Sequence, residues 1–245
     1  MNSRRKFILG SSVATTALLA SKPMSAIANV ASPLNNLLDQ QQQLVLLHTA
    51  TLSENNQQHI AGHIAGRRKK AWNTIAVNAG KETAPTTDNT FDTTAATLAE
   101  ENNSLFAPGY KLISKNGIKT AVISVKTGDA DIVNSVNTLA AHLKNEKGCS
   151  MVVCLSQLGY KNNSGLDDIT LAEKSTNIDV IIGGHATNFA KRPMTARNKN
   201  KAEVILHSAA GRKSPVGEIR IGFDNAGNKN AVGFTDPFIA STRTA

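Results

Sequence analysis

The run Ile178-Asp179-Val180-Ile181-Ile182 empties directly into Gly183-Gly184-His185. A short, β-branched apolar run of this kind suits a strand buried on both faces, as in a parallel sheet. The two glycines let backbone come close to a ligand or to a neighbouring element. His185 then stands at the strand's carboxyl end, where open α/β sheets place their sites. What a chain built around this stretch does depends on which side chains meet His185 there.

Strands and helices alternate along the rest of the sequence. Residues 44–48 read as a first buried strand, 49–58 as a polar loop, and 59–72 as a helix carrying the basic cluster Arg67-Arg68-Lys69-Lys70. A short strand over 74–77 follows, then a Thr- and Asp-rich loop over 81–92 and a helix over 95–102. Asn116-Gly117 between two apolar runs is a strong hairpin signal, so 110–114 and 118–125 should pair. Ile132, Val136, Leu139 and Leu143 recur at helical spacing, and Gly148 suits a C-terminal cap. Then come a buried strand over 151–155, a helix over 166–175, the opening strand, and strands over 194–197, 203–207 and 216–223. This order indicates an α/β layered sandwich.

The formal charge of +9 overstates the basic character of the folded part. Arg4, Arg5, Lys6 and Lys22 lie in the first thirty residues, which hold no acid. No dense basic tract with interleaved aromatics remains, so nucleic acid is not the expected partner. Ser3-Arg4-Arg5-Lys6-Phe7-Ile8 is a twin-arginine pattern, followed by an apolar run over 8–20 and the small-residue signature Ala26-Ile27-Ala28. The expected organisation is a signal peptide over 1–30, a linker over 31–43, the domain over 44–234 and a tail over 235–245, with export to a bacterial periplasm. The apolar run is too short to span a bilayer, and no later segment is apolar enough for a span. Cys149 and Cys154, placed on opposite faces of an extended strand, read as small buried residues and not as a disulfide.

Several blocks resemble the metallophosphatase domain of the 5'-nucleotidase family, within the calcineurin-like phosphoesterases. They are Asn116-Gly117-Ile118-Lys119, Val122-Ile123-Ser124-Val125, the stretch from Val152 through Ser156-Gln157-Leu158-Gly159-Tyr160, and Ile178 to Phe189. Leu46-Leu47-His48-Thr49 and Val77-Asn78-Ala79-Gly80 resemble the family's first two strands, with a shortened segment after Gly80. The resemblance implies a four-layer α/β/β/α sandwich with a dinuclear metal centre at the strand ends. In active relatives two divalent ions activate a bridging water and clamp the phosphate. Such ions want carboxylate, amide and imidazole donors from several loops.

Position by position, the donors implied by the resemblance are missing. Thr51 and Ser53 stand where the family has its Asp-x-His pair, and Lys81 stands at the bridging aspartate. Gln157 replaces the histidine of the Ser-His-Leu-Gly block, and Thr187 replaces the second histidine of Gly-His-x-His. Of the family's ligand set only His185 is kept, beside the loop glycines Gly183 and Gly184. A lone imidazole does not hold two hard cations, so no resident metal or other cofactor is expected.

Other residues have competing readings. His59 and His63 are four apart and either bind a metal or form a polar surface pair. His48 reads as a core residue. His207 could approach His185, and with Asp88 or Asp92 it would complete a rearranged one-metal site. The basic cluster at 67–70 either attracts phosphate or is a solvated helix face. Asp167-Asp168 reads as a pair of helix N-terminal acids, and neither Ser156 nor Ser214 has the setting of a nucleophile. The expected function is therefore a non-catalytic, exported 5'-nucleotidase-like domain. It would bind a nucleotide or dock with a partner such as a separately encoded substrate-binding domain. The alternative is an active nucleotide phosphohydrolase with a rearranged site.

Overall fold

The structure is a computed structural model that describes residues 42–50, 53–80, 90–100, 109–127, 131–162, 165–185, 187–188, 192–210 and 215–235. The chain divides into two units at Gln40/Gln41, and all that follows concerns the second. The segments expected to be a signal peptide and, for the most part, a linker lie outside the described residues, as does the chain beyond Thr235.

Two sheets carry the fold. The first has the order β11-β10-β1-β2-β3, built from β1 (Gln42–Thr49), β2 (Thr74–Asn78), the two-residue β3 (Thr93–Thr94), β10 (Gly217–Phe223) and β11 (Lys229–Thr235). The second has the order β4-β5-β6-β7-β9-β8, from β4 (Tyr110–Lys115), β5 (Ile118–Val125), β6 (Met151–Ser156), β7 (Val180–Gly183), β8 (Met194–Arg197) and β9 (Glu203–His207). Strands β5, β6, β7 and β9 run parallel, as do β1 and β2. The Asn116-Gly117 hairpin forms as expected, with both residues at positive φ.

Side-chain alternation sorts the core into layers. Leu44, Leu46, Ile75, Val77, Ile219 and Ile221 of the first sheet pack with Val122, Val153, Leu155, Val180, Ile182 and Ile205 of the second. The outer face of the second sheet is covered by α3 (Ile132–Asn145) and α4 (Asp168–Lys174), through Val136, Leu139, Leu143, Leu171 and Ala172. Ile60 and Ile64 of α1 (Glu54–Lys70) cover Val45, Leu47 and Ala76 on the first sheet. The layers are thus helix, sheet, sheet, helix. A short α2 (Ala95–Glu100) adds Ala95 and Leu98 to the central layer.

Helix α1 starts earlier than its apolar period announces, at Glu54 rather than His59. The polar run Glu54-Asn55-Asn56-Gln57-Gln58 forms its first turns, and Asn56 Oδ1 accepts the Ser53 N–H at 2.9 Å. The basic cluster at its end is only half a solvated face. Arg67 forms a two-pronged pair with the buried Glu218, and Arg68 pairs with Asp92. Burial pushes the Glu218 carboxyl up, but bonds from Arg67 and Arg220 outweigh it and hold it below its usual range. Cys149 and Cys154 are buried free thiols. They share one cluster instead of opposite faces, because Cys149 precedes β6 and is not part of it. No helix among the described residues is long and apolar enough to cross a membrane.

Candidate functional site

The carboxyl ends of the parallel strands in both sheets meet at one end of the sandwich. Gly184, just past β7, lies against Ala79, just past β2, so closely that a Cβ there would run into the Ala79 carbonyl. The Gly184 N–H donates to the Ser156 carbonyl at the end of β6 at 2.7 Å, which fixes the loop. Ser208 Oγ, just past β9, donates to the Gly183 carbonyl at 2.7 Å. The place predicted from Gly183-Gly184-His185 is therefore the junction of both sheets.

The side chains at this junction are mostly small. Ala50 from the end of β1 packs with Ala209 and Ala210 from the end of β9, and all three are buried. Ala79 is fully buried beside them in the chain's second strand-end loop. None of these side chains offers a donor atom to a cation or a phosphate.

His185 is partly exposed at this end, but one of its nitrogens is already used. Its Nδ1 accepts the Asn188 N–H at 3.1 Å, folding the loop back on itself. Asn188 then stitches this loop to the one after β6: its Nδ2 donates to the Lys161 carbonyl and to Asn162 Oδ1, and its carbonyl accepts the Tyr160 N–H. Thr187 is exposed beside His185. Gln157 follows β6 directly, and its N–H donates to the Val125 carbonyl. Ser53 is the N-cap of α1. Thr51, Lys81 and Asp88 lie outside the described residues.

Two of the secondary candidates are committed elsewhere. In β9 His207 lies on the same face as Ile205, between the sheets, where its Nδ1 bonds to His48 Nε2 at 2.5 Å. The rings meet edge to face at 4.6 Å, Phe234 stacks on His207 at 5.6 Å, and Gly217 leaves room for both imidazoles. Asp92 is likewise structural. Its Oδ2 accepts from Arg68 and from the Ala76 N–H, both at 2.8 Å, while its own N–H donates to the Ala76 carbonyl. His63 lies half-buried on α1, and burial pulls its imidazole below the usual range against the opposing charge of Glu218.

Asp167 and Asp168 stand at a helix N-terminus, as the sequence indicates. Asp167 is the N-cap of α4 and accepts from the Thr170 and Asn162 N–H groups. Asp168 turns inward and is buried behind β6 and β7, where Ser156 Oγ donates to its Oδ1 and its Oδ2 faces Gly183. Burial pushes its carboxyl up to about 7; the Asp167 charge adds to this and the Ser156 bond opposes it. Strand alternation carried the signal for this contact. Ser156 and Gly183 occupy the helix-facing positions of β6 and β7, as Cys154 and Ile181 do.

A dinuclear centre needs several convergent O and N donors. Among the described residues, no three His, Cys, Asp or Glu side chains come together in that way.

No protein-family model matches the sequence. No curated protein matches it either. Solved structures do. The NAD nucleotidase of Haemophilus influenzae aligns over 79% of this chain and 49% of its own, with a TM-score of 0.56 at 17% identity. A 5'-nucleotidase precursor from Thermus thermophilus aligns over 78% and 54%, with a TM-score of 0.54 at 18% identity. A calcineurin-like phosphoesterase from Bacillus subtilis aligns over 84% and 93%, with a TM-score of 0.53 at 17% identity. The chain spans about half the length of the first two.

Proposed function

We propose that this chain, whose fold is that of the 5'-nucleotidases and calcineurin-like phosphoesterases, is an exported, non-catalytic member of that fold. It works by binding a nucleotide-like ligand or by docking with a partner, for which a separately encoded substrate-binding domain is the expected kind. One observation carries this reading. Among the described residues, Ala50, Ala209 and Ala210 pack together at the strand-end junction, and His185 beside it spends its Nδ1 on its own loop. The sequence adds Thr51, Lys81, Gln157 and Thr187 at positions where the fold's metal-dependent members carry donors. The twin-arginine pattern supports export to the periplasm.

A rearranged hydrolytic site using His185, His207 and Asp88 or Asp92 has less behind it. The bond from His207 to His48 and the Arg68–Asp92 pair both speak against it. Thermal-shift measurements test the binding reading, because a ligand that binds only the native state raises apparent stability. A nucleoside monophosphate should raise the midpoint while manganese and zinc leave it unchanged. A rise with the ions that matches or exceeds the nucleotide's defeats the proposal.

A further inference from the structure

The opposite end of the sandwich, where the chain enters the parallel strands, has a different chemistry. Contacts tie its turns into one rim. Asn73 Nδ2 donates to the Gln43 carbonyl at 2.6 Å, the turn at Gly117 lies against the Gln42 side chain, and Lys119 Nζ donates to the Lys147 carbonyl at 2.8 Å. Lys69, Lys70 and Lys147 are exposed on this rim, and Lys115 and Lys119 are partly so. Among them Trp72, the chain's one tryptophan, stands 69% exposed.

The acids of this end do little to neutralise it. Asp179 is held by Lys144 at 2.7 Å with Lys229 at 3.8 Å, and Glu146 pairs with His142. Asp224 accepts the Ala226 and Asn228 N–H groups of its own turn, and Glu203 is exposed. Seven lysines, the five above with Lys144 and Lys229, therefore face four acids, and Asp179 takes up Lys144 and Lys229. A single exposed aromatic is ordinary by itself. An exposed indole on a lysine-rich rim combines the two features that hold proteins at bilayer surfaces: an amphipathic ring for the headgroup level and cations for anionic lipid. Single-stranded nucleic acid would call for several stacking aromatics. A fluid headgroup layer asks for no matching shape.

We propose that this rim docks the domain on a bilayer surface rich in anionic phospholipid headgroups, with Trp72 at the headgroup level and the Gly183–His185 end facing away. The inference does not depend on the reading of the strand-end junction. Because Trp72 is the chain's one tryptophan, its emission reports the contact directly. With the full chain, vesicles of phosphatidylglycerol and phosphatidylcholine should shift the emission to the blue, and rising salt should reverse the shift. Pure phosphatidylcholine should leave it unchanged. The triple variant Lys69→Glu, Lys70→Glu, Lys147→Glu should weaken the response by at least ~10-fold with an unaltered thermal midpoint. The Arg4-Arg5-Lys6 segment also attracts anionic lipid, so sedimentation with vesicles does not substitute for the emission readout. Any one of three results overturns the proposal: no shift with the anionic vesicles, an equal shift with the neutral ones, or a shift that survives the triple variant. A larger shift with polyuridylate or polyglutamate also overturns it, in favour of a nucleic-acid or acidic-protein partner.

Discussion

Asp168 is 4% exposed, and its carboxyl faces the Ser156 hydroxyl on one oxygen and Gly183 on the other. Its ordinary value of 3.8 is pushed up to about 7, chiefly by burial. Between those two values the folded chain holds a proton that the unfolded chain releases. Stability therefore falls as pH rises through that window, by about 4 kcal/mol in all. Above it both states are ionised and the cost is constant. Asp168→Asn keeps an acceptor for Ser156 and cannot ionise. Melting curves should show the variant gaining on the parent from about pH 4 to about pH 7. A difference that does not change with pH would mean that Asp168 is not the group that carries this dependence. Glu218 acts with the opposite sign. Its carboxyl is held below 4.5, so its contribution is complete above that value and is lost as pH falls through its folded value.

The loops and helices respond to a methyl group according to what surrounds it. A Cβ on Gly62, in α1, meets open space, whereas one on Gly184 collides with the Ala79 backbone. Gly62→Ala should stabilise by about 1 kcal/mol through helix propensity. Gly184→Ala should cost ~3 kcal/mol or more, because backbone must move on both sides of the junction. Denaturant titrations compare the two directly, and equal effects would contradict the close approach of β2 and β7. The buried parallel strands were legible in the sequence because each is a continuous apolar run. β11 was not, since its Lys229-Asn230-Ala231-Val232-Gly233-Phe234-Thr235 is a half-exposed edge with neither a buried run nor clean alternation. The first turns of α1 lacked any apolar period. At the candidate site, the position of Gly183-Gly184-His185 was legible from the strand and its glycines. The partners of His207 and Asp168 depended on which face of β9 and which side of α4 they occupy. For His207, alternation with Ile205 held that information unused. For Asp168 the cue was indirect, because the residue is separated in sequence from Ser156 and Gly183.

At the scale of the molecule, two unlike ends bound the sandwich. One is a rim of lysines around Trp72; the other is the strand-end junction, lined by alanine and glycine. The fold is shared with 5'-nucleotidases and calcineurin-like phosphoesterases, and a shared fold does not carry activity with it. Activity would need ions, and ions would need donors at the junction. Among the described residues no three His, Cys, Asp or Glu side chains come together as such a donor set. The decisive measurement is metal content of the purified full chain by elemental mass spectrometry, read beside a nucleotide hydrolysis assay with and without chelator. Substoichiometric zinc, manganese and iron, with no chelator-sensitive hydrolysis, is the expected result. About two tightly bound ions per chain, the number a dinuclear centre holds, with hydrolysis abolished by chelation, would contradict it.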